Sequence, residues 1–357
     1  MPGLASDLLG WFVVAVFAAG VLLIDRDEDL ARRLTAGAWV LFGVFWLQLF
    51  PHFAFVQKSY IEGVLTLVAA PACVYTAKLL YEGRDSLFVL SRAVPVMGVI
   101  YLLFETIPSF TVAGLSIPAP RQVAIETVTA QTGMLMNLMG YHPMLVPGDR
   151  GYLNTFQYTH TDLTIQVHIV LACTGLGSMV IFAGLAAAVD APLGRKLKAS
   201  AVSIPVIYLL NLLRTTFINV AYGYQMMQWF EGPVMFLFGS SDPYAVSYFL
   251  SDRVVSQGLS VVALVGITYL TVQYLPEVLT VVEDLLYIAT REEYDLRQAL
   301  ANPAARTDGG DVSVEGGRQA VDPAGEDGGD TAPRDAVDED GVTGATGDGR
   351  GGDGRDA

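Results

Sequence analysis

Apolar residues fall into long runs separated by short charged links. Leu8 to Ile24, Leu34 to Phe50, Tyr60 to Tyr81 and Leu87 to Ile107 fill the first third of the chain. Gln166 to Val189, Ala199 to Tyr222 and Val254 to Leu275 follow after an interruption. Each run can cross about 30 Å of bilayer core at roughly 1.5 Å per residue. The pattern predicts an all-α fold, a polytopic transmembrane helical bundle of about seven spans. Residues 108–165 break it with prolines and scattered polar positions. They read as a large non-spanning loop with an interfacial helix over 122–139, whose apolar face is Met134, Leu135, Leu138 and Met139. Residues 223–252 read as a second loop, rich in Tyr, Trp and Phe, of the kind that forms an aromatic belt. Glu277 to Leu300 repeats Val278, Val282, Leu285 and Ala289 on one side, the mark of a short amphipathic helix in the cytosol or on the membrane surface.

Composition agrees with that class. Of 357 residues 52% are hydrophobic, and mean hydropathy is +0.45. The net charge of -15 is uneven: residues 301–357 hold 14 Asp and Glu against 5 Arg, or -9. With 14 Gly among 57 residues, that tail buries too little apolar surface to fold and is expected to be disordered. The organisation is therefore a membrane domain over 1–275, an amphipathic helix over 276–300 and an acidic Gly-rich tail over 301–357. The mild acidity and low Lys content of the remainder resemble salt-adapted proteins. No basic patch suggests nucleic acid. The two cysteines and four histidines have no metal-ligand spacing, so neither a metal nor another cofactor is expected.

Asp7, and no Lys or Arg, precedes the first run, so a retained span is expected and not a cleaved signal peptide. Links after the first, third and fifth runs carry three basic residues each, more than the others. Positive charge accumulates on the cytoplasmic side, which puts the N-terminus outside and the C-terminus inside.

Two polar features stand within the apolar runs. Cys173 lies near one end of the fifth run among Thr174, Gly175, Gly177 and Ser178, small residues that let a backbone approach. Alone it reads as helix packing, and Cys73, in the third run, reads as core. Arg214 lies inside the sixth run, where a guanidinium is costly and marks a functional site or a buried pair. Glu62 and Glu105 are its expected ion-pair partners. Asn211, Thr215 and Asn219 share its helix at helical spacing and should face the bundle interior. Arg253 stands at the mouth of the seventh run beside Asp252, where it can pair or reach water. The topology puts Cys173, Arg214 and Arg253 at one depth, near the outer interface. The chemistry that needs such a set is nucleophilic acyl transfer: a thiolate attacks a carbonyl while cations offset the charge on sulfur or oxygen. Arginine is a poor base, so the general acid is unassigned between water, a tyrosine and His168, which also reads as a packing residue.

Cys173 in LACTGLGSM, Arg214 in NLLRTTFINV and Arg253 in SDRVVSQ, on successive helices, resemble the exosortase and archaeosortase family, and within it the archaeosortase A branch. The resemblance covers roughly residues 1–300. It implies a membrane-embedded cysteine protease or transpeptidase of the cell membrane, acting in protein sorting. Its partners would be exported proteins with a C-terminal signal, surface-layer glycoprotein among them: a Pro-Gly-Phe motif, a transmembrane helix and a basic end. Cys173 would be the nucleophile that holds the acyl-thioester, and a membrane lipid the acceptor, giving lipid anchoring of the new C-terminus. Arg214 would stabilise thiolate or oxyanion. Bacterial relatives usually have His at the third position, so Arg253 points to electrostatics more than to proton donation. Two other readings compete: a transporter with Arg214 as substrate or gating charge, and an intramembrane acyltransferase using the same thiol on a lipid. Against the transporter, the sequence has no internal repeat.

Overall fold

The structure, a computed structural model, describes residues 4–57, 59–112, 114–160 and 163–301. The acidic tail expected over 301–357 lies, apart from Ala301, outside them. Helices dominate. α1 (Leu4–Leu23), α2 (Glu28–Pro51), α3 (Tyr60–Tyr81) and α4 (Leu87–Thr106) follow the first four apolar runs. Asp27 caps α2 by accepting a hydrogen bond of 3.0 Å from the Leu30 N–H, which fixes its start just ahead of the predicted apolar run. α1 packs on α2 and α4, and α2 on α3. Small residues allow the close approach: the hydrogen of Gly98 in α4 points at Val14, where a Cβ would collide. Outward faces carry Val64, Leu65 and Val68 of α3, each more than half exposed, as lipid contact requires and water would penalise.

The interruption holds more order than a loop. β1 (Phe110–Val112) and β2 (Leu115–Ile117) form a hairpin, and α5 (Pro120–Leu138) follows. Met134, Leu138 and Met139 at its end are exposed as expected, whereas Leu135 packs inward; Ile125, Val128 and Met136 face a core. β3 (Met144–Pro147), β4 (Leu153–Thr159) and β5 (Thr164–His168) then form an antiparallel sheet in the order β3-β4-β5. Phe156, Tyr158 and Ile165 put the buried face of this sheet against α5.

The fifth span departs most from expectation. Its first residues belong to β5, a 3-10 turn covers Leu171–Thr174, and only α6 (Leu176–Ala188) is helical. Thirteen residues reach about 20 Å, short of a bilayer core. Among the described residues six helices are long and apolar enough to cross a membrane, and α6 is a shorter seventh. α7 (Leu193–Gly223) packs on α6, and the aromatic loop contains α8 (Glu231–Phe238) and α9 (Ala245–Tyr248). A π-helical stretch, Phe249–Ser256, joins α9 to α10 (Gln257–Tyr274) without a break, so the last span begins nine residues before its apolar run. The fold is thus the expected polytopic helical bundle, with two small sheets added.

α11 (Val278–Thr290) and α12 (Leu296–Ala301) end the described chain. α11 docks on the protein through Val278 and Val281, both buried, while Leu285 is exposed. Asp284, 2% exposed, takes a hydrogen bond of 2.9 Å from Arg84 in the α3–α4 link. Similar pairs join Arg32 to Asp85, Arg92 to Asp190 and Arg195 to Glu277. They tie the α1–α2, α3–α4 and α6–α7 links and the start of α11 into one end of the bundle.

Candidate functional site

The turn that carries Cys173 is built locally. Thr174 donates its hydroxyl to the Leu171 carbonyl at 2.7 Å and accepts from the Leu176 N–H at 3.3 Å, closing the 3-10 turn onto α6. Gly175 between them has φ +75°, the left-handed conformation that side chains disfavour, and a Cβ there would press on Asn211. Leu171 is buried in the core shared by α5, β4 and α7. Cys173 is half-buried and stands just ahead of the positive end of the α6 dipole.

Tertiary contacts then fix it. Its carbonyl accepts two bonds from α7, from Asn211 Nδ2 at 2.7 Å and Thr215 Oγ1 at 3.2 Å. These are two members of the predicted polar stripe. The third, Asn219, bonds its own helix backbone at Thr215. Arg214, adjacent to Thr215, is 2.5 Å from Asp252 Oδ1. Neither expected acidic partner takes it: Glu105 pairs with Arg121, and Glu62 lies 3.8 Å from Arg253. Those glutamates are on α3 and α4, and the sequence order of helices does not reveal which of them meet α7.

Arg253 does pair with its neighbour, Nε lying 3.4 Å from Asp252 Oδ2. It also donates to Ser59 Oγ at 2.9 Å and to the Tyr248 hydroxyl at 3.3 Å. One buried carboxylate therefore bridges both guanidiniums. The π-helical stretch makes this possible, because its wider turn changes the facing of consecutive side chains, a device frequent at functional sites.

Of the three residues singled out from sequence, Arg214 and Arg253 share one carboxylate, and Cys173 is tied to α7 beside Arg214. The Cys173 carbonyl is held by Thr215, the residue next to Arg214 on α7. His168 is not part of the cluster's chemistry: it sits on β5, where its Nδ1 and the Thr155 hydroxyl share a bond of 2.7 Å. The tyrosine left unnamed from sequence is Tyr248, whose hydroxyl accepts the 3.3 Å bond from Arg253. Asp252 was legible only as a neighbour of Arg253; its bridge to Arg214 spans 38 residues and leaves no local signal. Cys73 lies in the core as expected, 5% exposed in the cluster that includes Trp39 and Phe17. Among the described residues no group of acidic, His or Cys side chains has metal-binding geometry.

Comparison with known proteins gives consistent matches. The family model described as transmembrane exosortase matches residues 5–245, a stretch that contains Cys173 and Arg214 and ends before Arg253. Archaeosortase A of Haloferax volcanii is 59% identical over 300 residues, covering 84% of this chain and 99% of that protein. Archaeosortase A of Natronomonas pharaonis is 48% identical over 287 residues, covering 79% and 89%. No solved structure matches the chain. With two thirds of its length on the family model and close relatives along most of the rest, this chain belongs to the transmembrane exosortase family.

Proposed function

We propose that the protein is a membrane-embedded cysteine transpeptidase that processes exported proteins at a C-terminal sorting signal. The observation that carries this reading is that α7 holds the Cys173 turn through Asn211 and Thr215 while Arg214, on the same helix, shares the Asp252 carboxylate with Arg253. The Cys173 thiolate attacks the carbonyl carbon of the scissile peptide bond, and Arg214 offsets charge on sulfur and on the developing oxyanion. The C–N bond breaks, the amine takes up a proton, and the new C-terminus remains as a thioester on Sγ. A lipid-borne nucleophile then attacks that thioester, and the thiolate leaves. Arg253 acts by charge, and Tyr248, whose hydroxyl it holds at 3.3 Å, supplies the phenol for the proton.

Depth supports an outward-facing site. The links with most Lys and Arg lie at the bundle end tied by ion pairs, which by the positive-inside rule is cytoplasmic. α6 leaves that end and stops after about 20 Å, so the Cys173 turn lies within the outer part of the membrane. Non-helical backbone survives there only if its polar groups are satisfied, and Asn211, Thr215 and Thr174 do this. A signal whose Pro-Gly-Phe motif lies just outside its transmembrane helix would present its scissile bond at that level.

The test is mass spectrometry of an exported protein bearing that signal, in cells carrying the wild-type chain or Cys173→Ala. Loss of the C-terminal helix with gain of a lipid mass only in the presence of Cys173 is the expected result. The same mature C-terminus in both strains would refute it.

A further inference from the structure

The three-stranded sheet has two edges, and they differ. β3 is a blunted edge: it ends in Pro147, and its register with β4 shifts between Val146 and Pro147. β5, TIQVH, has no proline, no charge and no bulge against β4. Ile169 donates to the Asn154 carbonyl and His160 to that of Leu163, each at 2.8 Å. Bonded pairs alternate in an antiparallel ladder. Leu163, Ile165, Val167 and Ile169 therefore turn their main-chain groups to β4, and Thr164, Gln166 and His168 turn theirs away. The register with β4 places these three at the non-bonded positions of the ladder, and among the described residues no turn or loop bond reaches their N–H or C=O groups.

The edge is accessible as well as unpaired. Thr164, Gln166 and His168 are exposed, and Ile165 is buried beneath them. Gln166 and His168 are held by cross-strand bonds to Gln157 and Thr155, which orders the strand without covering its edge. Five residues beyond His168 comes Cys173, within the 3-10 turn that follows Ile169 and Val170.

We infer that the outer edge of β5 binds an extended segment of the polypeptide substrate as a fourth strand and leads its scissile carbonyl to Cys173. The inference rests on the peptide-processing reading and adds to it the mode of recognition. A peptide carbonyl in a helix is already occupied by its own hydrogen bond, so attack requires an extended chain. An open edge selects such a chain through main-chain bonds. This recognition tolerates varied side chains, as an enzyme with several protein substrates needs.

Cross-linking in membranes tests it. The chain carries Gln166→Cys with Cys173→Ala, and the partner is the exported protein with the Pro-Gly-Phe signal, bearing one cysteine moved through six successive positions ahead of the motif. An added strand points successive side chains to opposite faces, so disulfides should form at alternate positions. Equal cross-linking at consecutive positions, or none at any, would overturn the inference. In the chain that keeps Cys173, Gln166→Pro removes one outward N–H and spares the ladder to β4. Processing should slow about five- to tenfold, with alkylation of Cys173 unchanged. Unchanged processing also overturns the inference. A wild-type chain that leaves the same protein unprocessed would instead defeat the parent reading.

Discussion

Replacing Asp252 by Asn separates two consequences that the cluster ties together. The Asp252 side chain is 10% exposed, and it meets Arg214 at 2.5 Å and Arg253 at 3.4 Å, themselves 27% and 13% exposed. Removing one member of such a buried pair costs about 3–5 kcal/mol when nothing replaces it. Asn keeps an acceptor oxygen, so the loss is the charge-assisted part of the bond, about 1–1.5 kcal/mol. Arg214 is then held less firmly, and a guanidinium misplaced by about 1 Å slows catalysis on the order of 10²-fold. The thiol responds in the other direction. Removing a negative charge favours the anionic form of a nearby thiol, so Cys173 should be alkylated at lower pH than in the wild type. Arg214→Gln removes a positive charge, so its alkylation profile moves to higher pH. The assay is maleimide labelling of Cys173 against pH, with Cys73 silent in the core, alongside processing of the signal-bearing protein. Both variants should lose processing while their alkylation midpoints move apart. An Asp252→Asn midpoint that rises or stays in place, or normal processing in that variant, would refute the bridging role.

Gly175→Ala adds a Cβ 2.9 Å from Asn211 in a left-handed backbone, at a cost of about 1–3 kcal/mol, and disturbs the bond that holds the Cys173 carbonyl. Processing should fall, whereas Gly177→Ala, with open space around its Cβ, should leave it intact. Cys73→Ala should cost about 1 kcal/mol in thermal unfolding and keep processing, in contrast to Cys173→Ala. Arg84→Ala leaves the buried Asp284 carboxylate with only the Ser86 hydroxyl at 2.9 Å, and should destabilise the α11 end by about 3 kcal/mol without altering Cys173 alkylation. The same arginine holds the exposed Glu293 carboxyl below its ordinary value of 4.5. Because the folded pKa is the lower one, that small stabilisation is present above about 4.5 and lost as pH falls through the folded value. Glu293→Gln should remove this acid sensitivity in a melting series.

The spans were legible because length and hydropathy are local, and because a segment in hydrocarbon must satisfy its backbone internally, which leaves the helix as the only answer for each long run. Arg214 was legible for the same reason: a charge inside such a run has to be used or paired. The strands of residues 110–168 were not legible. They are short, and their period-two pattern is mixed with polar positions that acquire an inside and an outside only when α5 and α7 cover one face.

The sequence by itself determined a helical membrane protein, the polar stripe of Asn211 and Thr215, and the three residues worth testing. Only the tertiary structure decided that Cys173 stands on a turn and not within a span. Apolar content could not distinguish the two, since Val167 to Val189 is greasy enough for either, and the turn is favoured because α7 supplies donors to its freed carbonyl. Likewise only the approach of α7 to the π-helical stretch chose Asp252 as the partner of Arg214. Coulomb attraction depends on distance in space, and neighbours in space are set by the packing of whole helices.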